Sequence, residues 1–188
     1  MEINALELVR QRTREAHAHL EQRMHVDRIM DRTLQPEHLI QLLQVNHHFL
    51  EAVERNALRY PDLSPFVVAR AGWALKDLQA MGASELPPTS ELDAWDLDAM
   101  RGALYVALGS LLGGATIAQK IQGLPGLPSH QSFYAMDRQA MGTWRDFLSH
   151  LQTLHTEAQR EGLVRGAVRT FTIAADACTL AATSAAQA

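Results

Sequence analysis

A single cysteine, Cys178, in 188 residues leaves no intramolecular disulfide and no multi-thiolate zinc or iron–sulfur site to build. It lies in an Ala-rich apolar stretch and reads as an inert buried thiol. Charge excess is scarce as well. A formal net charge of −4, with nine His taken as neutral, supplies no basic field to condense on nucleic acid. No apolar run is expected to reach the roughly 18 residues of a membrane span, and the charged, amphipathic N-terminus is unlike a secretion signal. A cytoplasmic chain with no membrane or nucleic-acid partner is therefore expected. Strand alternation bounded by turn signals is missing, and so is any internal repeat. What remains is 47% hydrophobic and 20% charged, enough for one domain with a real core. The expected architecture is all-α, a single-domain helical bundle over residues 1–188.

Six main helices follow from period and punctuation. The first covers about Asn4 to Met24, with Leu6, Thr13, His17, Leu20 and Met24 on one stripe and Arg10, Arg14 and Glu21 beside it. The second starts after Gln35-Pro36 and runs towards Tyr60, where Pro61 closes it. Ser64-Pro65 opens the third, which stops at Gly82. Leu86-Pro87-Pro88-Thr89 is a linker. The fourth spans about Leu97 to Gln122 and ends in a Gly/Pro breaker. The fifth covers about Ser132 to Arg160, with Gly142 marking a bend. The sixth covers about Leu163 to Ala182, leaving residues 183–188 as a frayed tail.

The fourth helix carries Gly102, Gly109, Gly113 and Gly114 in its interior. Each costs about 0.8–1 kcal/mol relative to Ala there, so something must gain from the missing Cβ. Gly109 and Gly113 share a face, with Gly102 and Thr116 close to the same line, and Gly113-Gly114 is a natural kink. Two readings fit: a close helix crossing, or backbone approach to a flat ligand. A phosphate loop does not, because Ala115 stands where its Lys is needed and no strand precedes it.

His17 lies on the apolar stripe, one turn after Thr13, whereas His19 falls about 200° away and faces outward. A core histidine and a ligand both fit that position. His47, His48 and His155 have no ligand-spaced carboxylates and read as surface or core residues. No His has Asp or Glu three residues before it, which speaks against a di-iron bundle. Ser110 sits in Gly-Ser-Leu-Leu-Gly, not in a hydrolase elbow.

Taken together, these segments resemble the haem oxygenases. Leu8-Val9-Arg10-Gln11-Arg12-Thr13-Arg14-Glu15-Ala16-His17 resembles the family's opening, where Thr-x-x-x-His carries the proximal ligand. Leu104-Tyr105-Val106-Ala107-Leu108-Gly109-Ser110-Leu111-Leu112-Gly113-Gly114 is similar to its bacterial distal helix. The run from Ala71 to Gly82, then Trp144-Arg145-Asp146-Phe147-Leu148 and Arg169-Thr170-Phe171, matches the remaining helices in order.

The resemblance implies a haem-oxygenase-like bundle clamping haem, which serves as both substrate and cofactor. His17 becomes the axial ligand of the haem iron, with Thr13 beside it. Gly109, Gly113 and Gly114 bring distal backbone to the haem face, and Ser110 holds distal water. Arg10, Arg14 and Arg145 are candidates for the propionates, since guanidinium pairs carboxylates in a planar fork; a solvated helix face is the other reading of each. The implied reaction opens haem to biliverdin with release of iron and CO. It uses O2 and external electrons, expected from a ferredoxin- or flavodoxin-type donor. Two positions depart from many bacterial relatives, Leu108 for Glu and Ala115 for Arg. They favour the alternative, a non-catalytic haem-binding or haem-trafficking protein on the same fold. A pure helical interaction module is the third reading.

Overall fold

The computed structural model describes residues 4–128, 131–135 and 138–185. Its helices are α1 (Ala5–Arg23), α2 (Val26–Met30), α3 (Pro36–Ala57), α4 (Ala71–Ala80), α5 (Leu97–Gly109), α6 (Leu111–Ile121), α7 (Arg138–Leu151) and α8 (Glu157–Ala185), with one 3-10 turn at Ser64–Phe66. The described residues contain no strand, and the all-α expectation holds.

Local chemistry accounts for the helix starts. Asn4 accepts a hydrogen bond from the Glu7 N–H at 2.9 Å and caps α1. Pro36 occupies the first turn of α3, where the Gln35 N–H donates to His38 Nδ1 at 3.1 Å within a capping box. Asp96 caps α5 by accepting from the Ala99 N–H at 2.8 Å.

The short α2 was not among the six expected helices, and four of those six are bounded differently; the fifth, expected from about Ser132, is described from Arg138, residues 132–135 not being helical. The third is only α4, because residues 67–70 are not helical and Ser64–Phe66 is a separate turn. The fifth ends at Leu151. Thr156 and Gln159 then form a reciprocal cap, Thr156 Oγ1 accepting from the Gln159 N–H at 3.2 Å and Gln159 Oε1 from the Thr156 N–H at 3.1 Å. That cap starts α8 six residues before Leu163 and carries it through Ala185, so residues 183–185 are helical rather than frayed. Residues 186–188 of the expected tail lie outside the described residues.

The fourth expected helix breaks at Ser110, not at Gly113-Gly114. Ser110 Oγ donates to the Ala107 carbonyl at 2.7 Å, and Arg70 Nη1 donates to the same carbonyl at 3.0 Å. Side chains thus claim a carbonyl of the helix ladder where α5 gives way to α6. Leu97–Ile121 has a mean hydropathy of 1.3 over its best window, apolar enough by composition to cross a membrane. The expectation that no apolar run reaches the length of a membrane span is corrected at this segment. In the bundle, α5 is packed against α3, α7 and α8, with Met100, Leu104 and Leu108 buried.

Gly102 belongs to the α5–α8 crossing. A Cβ there would collide with the Leu163 carbonyl and the Ala167 N–H, and one on Gly166 would collide with the Ala99 carbonyl. The close-crossing reading is therefore correct for Gly102, which separates it from the glycines further along.

Candidate functional site

Of the expected α1 stripe, Leu6, Thr13 and Leu20 are buried and Met24 is half-buried; Val9, not expected on it, is buried as well, and its carbonyl accepts from Thr13 Oγ1 at 2.7 Å. His17 departs from it. Its side chain is 56% exposed, which corrects the expectation of a buried imidazole. The ring meets Phe171 of α8 edge-on at 5.5 Å between centroids, so one side is packed and the other open. Nδ1 lies 3.6 Å from the Glu21 carboxylate one turn on. His19 is exposed, as expected.

Two turns before His17, the Arg10 guanidinium stands beside the Tyr105 phenol of α5. Burial pushes the Tyr105 hydroxyl above its usual range and Arg10 opposes that rise. The Tyr105 ring lies on Trp144 of α7 at 5.5 Å. Arg10, Arg12 and Arg14 line an open groove of about 1340 Å³ that reaches Leu148, Ser149 and Gln152, with Glu7 and Glu15 also in its lining. Arg12 is partly engaged with Glu161 at 3.9 Å. Arg145 is exposed on α7, one turn before Ser149, and stands outside that lining.

On α5–α6 the glycines face space. A methyl on Gly109 would meet only the Trp144 ring edge at 3.7 Å, one on Gly113 only Ile117 of its own helix at 4.0 Å, and one on Gly114 nothing within 4 Å. Gly114 is nonetheless a buried residue. These glycines do not serve helix packing, in contrast to Gly102. Leu108 is 2% exposed and forms part of the core; Ala115 is half-buried.

Beneath the α5–α6 break lies a polar pair that sequence reasoning missed. Arg70 is 2% exposed. Its Nη1 donates to Ser110 Oγ at 2.6 Å as well as to the Ala107 carbonyl, and its guanidinium stacks on Phe133 at 4.7 Å. Glu54 Oε1 accepts the backbone N–H groups of Arg70 at 2.7 Å and Ala71 at 2.9 Å, capping α4. Burial raises the Glu54 carboxyl to about 7, against the pull of those two N–H groups and the Arg70 charge. Burial likewise lowers Arg70 to about 10, with Glu54 opposing. A signal was present: Glu54 falls one turn after Leu50 on the buried stripe of α3, where a carboxylate needs a partner.

Cys178 is half-buried rather than fully so; burial pushes its thiol up, and Sγ is 3.4 Å from the Ala174 carbonyl. His48 is buried and His155 exposed. Among the described residues, no three His, Cys, Asp or Glu side chains converge as a metal site.

Two features here are open to a ligand, and a third is an arginine-lined groove beside α1. An imidazole with one open side stands on α1, and a glycine backbone stands on α5–α6. The two elements are not packed closely on each other, since α1 lies along α8 and α6 against α2. Arginines mark one end.

No family model matches the chain, and no curated protein matches it by sequence. Solved structures do match. The haem oxygenase of Neisseria meningitidis, seen with NO and CO bound, superposes with a TM-score of 0.72 at 21% identity, covering 95% of this chain and 94% of that one. The haem oxygenase-1 of the cyanobacterium Synechocystis, in complex with haem, gives 0.73 at 19% identity over 94% and 91%. The haem oxygenase of Leptospira interrogans gives 0.69 at 19% identity over 94% and 99%. The chain therefore has the all-α haem oxygenase fold.

Proposed function

We propose that the chain binds haem between α1 and α5–α6 and opens it oxidatively to biliverdin, with release of iron and CO. The observation that carries this reading is the pairing of a half-open His17 on α1 with backbone at Gly109, Gly113 and Gly114 that a side chain could cover but none does. Bound haem supplies the iron at which O2 is reduced and the ring that is cleaved, with electrons from an external donor such as a ferredoxin or flavodoxin.

The chain's own residues have definite tasks. Glu21, beside Nδ1, orients the imidazole and leaves Nε2 as the ligating nitrogen. Phe171 fixes the ring's tilt. Arg10, beside the Tyr105 phenol, and Arg14 hold the propionates; Arg145 is a weaker candidate because it lies outside their groove. Ser110 Oγ spends its proton on the Ala107 carbonyl and one lone pair on Arg70. One acceptor site is left, which suits it to receive a hydrogen bond from distal water.

The apolar Leu108 and Ala115 favour a second reading, haem carriage without turnover. The deciding experiment is aerobic incubation of the haem complex with ascorbate or a ferredoxin system, with catalase present. Loss of the Soret band with growth of a red-absorbing bilin is expected. A stable complex under several reductants selects the carrier. His17→Ala should abolish the imidazole-ligated spectrum while helical circular dichroism persists; an unchanged spectrum would refute the assignment of His17.

A further inference from the structure

A second cavity, of about 300 Å³, lies where the C-terminal ends of α1 and α8 meet α3. Met24, Leu42, Val45 and Ala182 make its apolar wall, and Arg23, His25 and His38 also line it. It matches the lower end of small-molecule sites, about 300–1,000 Å³, which are apolar with a few convergent polar groups.

The polar groups are donors of one character. His38 Nδ1 accepts the Gln35 N–H at 3.1 Å as part of the α3 cap, so the neutral ring carries its proton on Nε2 and offers a donor there. That tautomer disfavours a metal at Nε2, which would need the proton moved to Nδ1 and the cap broken. Arg23 is held at the cavity by donating to the Thr179 hydroxyl, and a guanidinium has further N–H groups to give. His25 adjoins His38 at 5.1 Å between ring centroids, fixed by a left-handed backbone at φ 53°. Arg28 adds positive potential around His38, which Glu37 and Asp27 offset in part.

We propose that this cavity binds a medium-chain aliphatic carboxylate, its alkyl chain along Met24, Leu42 and Val45 and its carboxylate on Arg23 and His38. At about 30 Å³ per heavy atom, the volume of a water in the liquid, the space takes about ten atoms, the size of octanoate. The proposal stands apart from the haem reading, because it uses none of the residues assigned to haem.

The test is calorimetric titration of octanoate, and of octan-1-ol as the neutral isostere, into haem-free and haem-loaded protein. Octanoate is expected to bind about tenfold or more tighter than octanol, the value of charge-assisted hydrogen bonds. Arg23→Gln should erase that preference while octanol binding stays. Ala182→Trp, which fills the space from exposed α8, should weaken both ligands. His38→Gln keeps a capping side chain and should reduce octanoate selectively. The proposal is overturned if octanoate does not bind, if Arg23→Gln leaves the preference intact, or if octanoate shifts the Soret band by entering the haem cleft.

Discussion

Four glycines in one apolar stretch have two different reasons to exist, and alanine substitution separates them by sign. At Gly102 the new methyl would overlap the Leu163 carbonyl and the Ala167 N–H, which are backbone atoms of α8 and cannot swing aside. The helices must part, at a cost of about 3 kcal/mol or more for overpacking, only slightly offset by the propensity gain of about 1 kcal/mol. For a chain of this length the net of about 2 kcal/mol lowers Tm by about 4–8 °C. At Gly114 a methyl meets nothing within 4 Å, and at Gly109 it reaches only ordinary contact with Trp144 at 3.7 Å. There the same substitution should stabilise the haem-free protein by about 0.4–1 kcal/mol, or roughly 1–4 °C. Haem affinity should move the other way, because each methyl occupies space the flat ligand needs. The assay is thermal unfolding by circular dichroism alongside haem titration, for Gly102→Ala, Gly109→Ala and Gly114→Ala. If Gly109→Ala and Gly114→Ala raise Tm and leave haem affinity and spectrum untouched, the ligand-approach reasoning fails. If Gly102→Ala is neutral, the account of the α5–α8 crossing fails with it.

Three further outcomes are expected. Glu54, raised to about 7 in the fold from an ordinary 4.5, stabilises the protein fully below about pH 4.5 and loses that contribution as pH rises through 7. The span is worth at most about 3 kcal/mol; urea unfolding of Glu54→Gln at pH 5 and pH 8 should show a flatter pH dependence than the parent, and an equal slope refutes the assignment. Tyr105→Phe removes the phenol oxygen beside Arg10, leaving that guanidinium less positioned, and should weaken haem binding by up to about fivefold, about 1 kcal/mol, read by haem transfer to apomyoglobin. Ser110→Ala leaves Arg70 one acceptor short and should lower stability by about 1–3 kcal/mol, with a change in the ferric haem spectrum if Ser110 touches distal water.

Much of the frame was legible because helix signals are local. Asn4, Pro36 and Asp96 announce α1, α3 and α5 without help from the rest of the chain. The misplaced boundaries share a cause in long-range or overlooked side-chain bonds. The α5–α6 break is made by Arg70, 40 residues away from Ser110 in sequence, and no window over the glycines contains it. The Thr156–Gln159 cap was readable, yet it was lost inside an otherwise helical pattern. For the site, periodicity placed Thr13 and His17 on one side of α1 but could not say that Phe171 of α8 meets the imidazole only edge-on, with the His17 side chain still 56% exposed. Gly102 and Gly109 share a helical phase, and only the position of α8 decides that one is packed and the other is not.

The replacement of a charged pair by Leu108 and Ala115 carries less weight against turnover once the positions are seen in space. Leu108 is 2% exposed in the core, so a polar group there would be turned from the cleft unless the local packing changed. The polar atom that does stand at the α5–α6 break is Ser110 Oγ, and it is held from below by Arg70, a buried cation at the N-cap of α4. Arg70 in turn begins a helix whose first N–H groups are closed by Glu54. On the proposed haem reading, the α5–α6 side would have its electrostatic support in the layer behind the glycine backbone rather than on its face. Such an arrangement leaves the face flat enough for close approach of a porphyrin, while keeping one oriented acceptor at its edge. Arg70→Met tests this directly: the side chain is similar in length and apolar, so the core can remain filled while Ser110 loses its donor. Haem affinity should then change little, whereas the rate of bilin formation under ascorbate should fall by an order of magnitude or more, the scale of one preorganised electrostatic group. Equal losses of binding and turnover would instead assign Arg70 to the fold alone.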